Sequence, residues 1–173
     1  LWDDLSVPRV TKARAGREKD KNDKYIAHVF EPEQSGIVYE DERYFVVRPF
    51  DVDASCYFGR KTNWCIAQSG NSYFESYTTK EGKAFYFIRD DAANEDNSYS
   101  RVAVQVTYED GDAHPYVEGF WDRDDDWHDD IDDLTSDDTH QGAGWDEDVV
   151  QMILRRIDAH AQDHPPEVDR ALE

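Results

Sequence analysis

The sequence is poor in the residues that staple, anchor or punctuate a chain. Its 173 residues include two cysteines, Cys56 and Cys65, and one methionine. Two thiols cannot build a disulfide framework, and without a secretory pattern they predict reduced cysteines and a cytoplasmic setting. No apolar run approaches the roughly 20 residues that cross a bilayer as a helix, so no membrane span is expected. The nine glycines never fall in the spacing of a phosphate loop or a dinucleotide fingerprint, and no cofactor is expected. Basic residues are scarce as well: 19 Lys and Arg face 40 Asp and Glu, a formal charge of −21. A field of that sign repels nucleic acid and anionic membranes and favours basic protein surfaces.

Large aromatic side chains are plentiful, with five Trp, ten Tyr and eight Phe, and they supply the apolar area a folded core needs. The length suits one domain. Charge divides the chain unevenly, because residues 1–30 carry seven basic and five acidic side chains and the acidity lies in the remainder. This predicts a basic, mostly helical arm over 1–30 and a single acidic α+β domain over 31–173. The first residue is Leu1 rather than Met, so the sequence is compatible with a piece of a longer chain.

Within the domain, Ile37 to Tyr39 and Tyr44 to Val47 read as a β-hairpin closed by Pro49. Asp51 or Asp53 can cap a short helix through Tyr57, with Gly59 placed for a left-handed C-terminal residue. Trp64 to Ala67 suggests a strand, and Tyr73, Phe74 and Tyr77 a short helix. Lys83 to Arg89 is apolar on both faces, as a central strand should be. Arg101 to Tyr108 alternates, with Val102, Val104 and Val106 on a packed face and Arg101, Gln105 and Thr107 on a more polar one. A turn at 109–112 leads to a strand from about His114 to Trp121. Val149, Val150, Ile153, Leu154 and Ile157 define a closing helix over 146–161, with acids at its positive end and Arg155, Arg156 and His160 in its later turns. The fold class that follows is α+β: an antiparallel sheet of about five strands, short helices and a packed C-terminal helix.

Residues 122–138 contain ten Asp and one basic residue, Arg123. Trp127, Ile131 and Leu134 within it share helical spacing, which predicts a docked helix displaying carboxylates. Such a helix would be about 25 Å long and carry about one charge per 2.5 Å, approaching the roughly one per 1.7 Å of duplex DNA. Asp124, Asp125, Asp129, Asp130, Asp132 and Asp133 are therefore the candidate partner-binding residues, with carboxylates standing where phosphates would. A solvated face that only promotes solubility is the competing reading. Asp122, Asp124 and Asp126 also open like a calcium loop with Asp133 in twelfth place, but Trp127 occupies the position that wants glycine, and Asp133 is shorter than the usual bidentate Glu. His114, His128 and His140 lack zinc-site spacing.

Ala54-Ser55-Cys56-Tyr57-Phe58-Gly59, Lys61-Thr62-Asn63-Trp64-Cys65-Ile66-Ala67, then Phe74 and Tyr77, lead to the aromatic run Phe85-Tyr86-Phe87-Ile88-Arg89-Asp90. This series resembles uncharacterised bacteriophage proteins that carry a Gly, a following Thr and a Trp-Cys-(Thr/Ile)-Ala box. The resemblance covers about residues 37–108 and implies a phage origin, an infected host cell as the setting and a compact α+β domain; it carries no activity. Physically the box is explained by packing of Trp64, Ile66, Phe74 and Tyr77 over the sheet. A sharper alternative makes Cys65 a nucleophile, with His28 or His114 as base and Asp53 or Asp90 to orient it. A chain of this charge opposes the thiolate that such chemistry needs.

Together these features lead to the expectation of a noncatalytic, phage-type acidic protein that binds a basic surface, such as a host nucleic-acid-binding or defence protein inhibited by DNA mimicry. A virion or assembly component with incidental acidity is the alternative, and an enzyme using Cys65 the third.

Overall fold

A computed structural model describes residues 29–60, 62, 64, 74, 77–78, 81–94, 96–108, 115–135 and 144–166. Expectations for the arm over 1–28, the strand and thiol at Cys65, the turn at 109–112, and His114 and His140 lie outside the described residues. β-branched and aromatic residues form strands β1 (Ser35–Glu40), β2 (Tyr44–Pro49), β3 (Lys83–Asp90), β4 (Arg101–Thr107), β5 (Tyr116–Trp121) and β6 (Trp127–His128). They make one antiparallel sheet in the order β1-β2-β3-β4-β5-β6. The fold is α+β, and the sheet has six strands rather than about five because the short β6 is recruited from the Asp-rich segment.

Among the described residues, two α-helices pack on the sheet. Helix α1 (Val52–Phe58) starts where the Asp51 side chain accepts the Ala54 N–H at 2.9 Å. Its end differs from expectation: Gly59 sits at φ −92°, so the helix closes without a left-handed residue, through a bond from the Gly59 N–H to the Ser55 carbonyl. Helix α2 (Glu147–Asp163) is capped by Asp146 and buries Val150, Ile153, Ile157 and Ala161. That is the stripe its sequence spacing predicts.

Strand alternation explains the two halves of the core. Ala84, Tyr86 and Ile88 of β3 join Val102, Val104, Val106 and the apolar stripe of α2. Phe85 and Phe87 point the other way, onto Phe45, Val47, Phe58, Trp64 and Phe74. The same two-sided cover corrects the expectation of a polar face on β4, since Arg101, Ala103 and Gln105 are buried. Trp121 Nε1 donates to Gln105 Oε1 at 3.2 Å, and Gln105 Nε2 donates to Glu118 at 3.0 Å, so that buried amide is partnered.

The helix expected over 122–138 is absent from its described part. A turn at 122–126 leads into β6, and a single 3₁₀ turn spans Ile131–Leu134. Aspartate side chains capture nearby backbone N–H groups and so favour turns and caps over helix interiors. Asp122 Oδ1 accepts from the backbone N–H of Asp124 and of Asp126, and the Asp130 side chain accepts from Asp132. Asp125 takes a positive φ of 71°, which closes the turn. Trp127, Ile131 and Leu134 therefore do not share a helical stripe: Trp127 pairs with Trp121 in the sheet, and Leu134 alone of the three is fully buried.

Candidate functional site

The Asp-rich segment leaves the end of β5 and is tied down along its length. Asp122 is its inner anchor, only 4% exposed despite its charge. Beyond the two backbone bonds, its Oδ2 lies 2.9 Å from His128 Nε2. The His128 ring stacks on Phe120 at 4.7 Å with an interplanar angle of 7°, while its Nδ1 faces Asp133 Oδ2 at 3.4 Å. One imidazole thus stands between two carboxylates of the segment. Next to it, Tyr99 has its phenol pushed up to about 12 by burial first, then by the negative charges of Asp133 and Asp122.

Three more ties come from outside the segment. The indole N–H of Trp64 donates to the Asp122 carbonyl at 2.6 Å. Ser98 bonds the segment twice: its carbonyl accepts from the Arg123 N–H, and its hydroxyl donates to Asp124 Oδ2 at 2.7 Å. Past the 3₁₀ turn, the Trp145 N–H donates to the Leu134 carbonyl at 3.0 Å, joining the segment to the approach of α2. The tryptophan of the aromatic box therefore both fills the core and holds the acidic turn.

What the segment presents outward is carboxylate. Of the predicted partner-binding residues, Asp124, Asp125, Asp129, Asp130 and Asp132 are exposed. Asp133 is only partly exposed and faces inward to His128. Asp126, which the sequence pointed to only as a calcium ligand, is exposed beside them. At Asp125 the carboxyl pKa is raised, by burial first and then by the charges of Asp126 and Asp122. Among these acids stands Trp127, one of the two large apolar side chains exposed among the described residues. Its ring packs against Trp121 at 4.9 Å and over Gly119, where an added Cβ would meet Trp127 Cζ2 at 2.6 Å and also the His128 carbonyl.

The other candidates are placed differently. Asp122 faces inward to its own loop, and no group of three or more His, Cys, Asp or Glu side chains is positioned to hold a metal ion among the described residues. Asp90, a candidate to orient a base for Cys65, is buried and gripped by Arg43 through two bonds of 2.9 and 3.0 Å. Asp53 lies in the exposed first turn of α1. The thiol of the described cysteine, Cys56, is pushed up by burial and by Asp53, which disfavours its nucleophilic form.

Sequence reasoning missed His128, Ser98 and the indole of Trp64 as the groups that position the segment. No spacing rule links residues 26 or more positions apart, so only the fold could bring Ser98 and Trp64 to it. No helix among the described residues is long and apolar enough to cross a membrane. No protein-family model, curated protein or solved structure matches the chain.

Proposed function

We propose that the protein is a noncatalytic interaction protein that offers the Asp-rich edge of its sheet to a basic partner surface. The observation that carries this reading is the contrast inside one short segment: Asp122 and Leu134 are buried while Asp124, Asp125, Asp126, Asp129, Asp130 and Asp132 between them are exposed. An acidic stretch serving solubility alone needs no anchoring, whereas preorganised charges gain affinity because their ordering cost is met on folding. Trp127 adds an aromatic face suited to an arginine or lysine side chain, in the manner of an interface hot spot. Fixed carboxylates on a chain of charge −21 also steer a cationic partner into contact.

The finer form of the proposal is mimicry of nucleic acid, directed at a host nucleic-acid-binding or defence protein in a phage-infected cell. Its basis is the ten Asp of residues 122–138 and the resemblance of residues 37–108 to phage proteins; the linear charge density of a helix does not carry over to the observed turns. The mimic would consist of a turn, a strand end and a 3₁₀ turn instead of a straight helix. The test is competition: a basic DNA-binding protein captured by the wild-type chain should be displaced by duplex DNA and by salt. Capture that DNA leaves intact rules out mimicry while leaving the broader acidic-surface reading standing. Capture that survives both salt and Asn substitution of the exposed aspartates overturns the proposal as a whole.

A further inference from the structure

At the other end of the sheet, Arg48 of β2 lies 5% exposed, and no carboxylate pairs with it among the described residues. A buried guanidinium normally has a counter-ion, because desolvating it uncompensated costs several kcal/mol on the order-of-magnitude scale for buried ions. The compensation here is partial and comes from dipoles and rings. Arg48 Nη1 donates to the His164 carbonyl, past the end of α2, at 2.7 Å and to Tyr86 Oη at 3.2 Å. Its cationic face lies 5.1 Å from the Phe50 ring centroid and 5.6 Å from that of Tyr86.

His160, the ring next to Tyr86, adds no positive charge near pH 7. Tyr86 Oη, which accepts from Arg48, also lies within hydrogen-bond distance, 2.8 Å, of His160 Nδ1. The His160 imidazole, held at about 4 by burial first and then by His164 and Arg48, is neutral near pH 7. Tyr108 Oη donates to the Ala161 carbonyl at 2.6 Å. Among the described residues, the cluster thus presents one permanent cation with no carboxylate ion-paired to it.

Arg48 also lines a cavity of about 550 Å³, within the range typical of small-molecule sites. Phe50, Phe74, Ala84, Pro165 and Pro166 give it an apolar wall, and Glu33 and Asp163 are acidic lining residues among those described. We propose that this cavity binds a small monocarboxylic acid, with the carboxylate on Arg48 and an apolar body against Phe50, Phe74 and the Pro165-Pro166 wall. The carboxylates of Glu33 and Asp163 and the charge of the whole chain oppose a dianion, so the site selects a single negative charge over a phosphate monoester. This site lies apart from the Asp-rich segment, at the opposite ends of the strands, and does not depend on what that segment binds.

Benzoate, benzamide and phenyl phosphate are suitable probes, titrated into the full chain while backbone and tryptophan N–H signals are followed by NMR. Benzoate should produce saturable shifts at Phe50, Ala84 and His164. Benzamide, of the same shape without the charge, should bind about tenfold or more weakly, as for loss of a charge-assisted hydrogen bond, and phenyl phosphate should bind more weakly than benzoate. Arg48→Gln keeps a donor for Tyr86 and the His164 carbonyl and should abolish the preference for benzoate over benzamide. Should that variant fail to fold, Thr78→Phe, which fills the cavity without touching the arginine network, should abolish benzoate binding. The proposal is overturned by absence of saturable benzoate shifts in the folded wild-type chain, by equal affinity for benzoate and benzamide, by tighter binding of phenyl phosphate, or by unchanged benzoate affinity in folded Thr78→Phe.

Discussion

Asp122 and Arg48 are both charged, both nearly buried and set at opposite ends of the sheet, yet they are satisfied in different ways. Asp122 is enclosed by its own loop: two backbone N–H groups and His128 occupy three of its roughly four acceptor sites. Arg48 is bonded, among the described residues, to carbonyl and hydroxyl oxygens and lies against aromatic faces, with no carboxylate paired to it. A buried charge whose partners all come from its immediate chain neighbourhood fixes local structure and leaves nothing for a ligand. One whose counter-ion is missing beside a cavity keeps an unused electrostatic capacity. The acidic end therefore displays its other carboxylates on a rigid base, and the arginine end receives.

The sharpest way to break this contrast is at Asp122. Asp122→Ala strips the acceptor from two N–H groups and leaves His128 without its closer partner, which should cost about 3 kcal/mol or more of stability in urea unfolding. Asp122→Asn retains an acceptor and should lose less. Gly119→Ala comes next, because the new Cβ collides with the His128 carbonyl and the Trp127 ring; separation of β6 from β5 and a loss of about 1–3 kcal/mol are expected, read by urea midpoint and tryptophan fluorescence. At the arginine end, Tyr86→Phe removes one bond to Arg48 and one to His160 and should cost about 1–2 kcal/mol.

The pH dependence of that end has a definite sign. The folded state holds the His160 pKa at about 4, below its ordinary 6.5, so the unfolded chain takes up a proton more readily. The stability contributed by the neutral ring is complete above about pH 6.5 and declines as pH falls towards about 4. Urea midpoints between pH 7 and pH 4.5 should show this decline, and His160→Gln should flatten part of it. The smallest stability effect is expected for the joint change of Asp124, Asp129, Asp130 and Asp132 to Asn. These side chains are exposed, and Asn at 130 still caps the 3₁₀ turn, so stability should move by no more than about 0.5 kcal/mol while binding is lost.

Those differences also explain what could be read in advance. Strands β1 to β5 follow from β-branched and aromatic runs between turn residues, and helix α2 from its apolar period. Asp51 and Asp146 as helix caps are local chemistry and equally legible. The conformation of 122–134 was not: Trp127, Ile131 and Leu134 satisfy helical spacing by coincidence, while ten competing aspartate side chains in 122–138 favour turns. The location of the exposed charge was visible, but its anchoring through Trp64, Ser98 and His128 depends on long-range packing. Arg48 gave no signal at all, since an arginine at a strand end is ordinary until the fold removes it from water.

The central claim is that the exposed aspartates are the binding surface and contribute little else. Wild-type chain and the Asp124/Asp129/Asp130/Asp132→Asn variant, immobilised side by side and shown by circular dichroism to be equally folded, should be exposed to bacterial lysate at about 50 mM and about 300 mM salt, where the screening length shrinks by a little over twofold, from about 14 to about 6 Å. A basic protein should be retained by the wild type at the lower salt, released at the higher, and not retained by the variant. The same proteins held by both chains at both salt concentrations would contradict the claim.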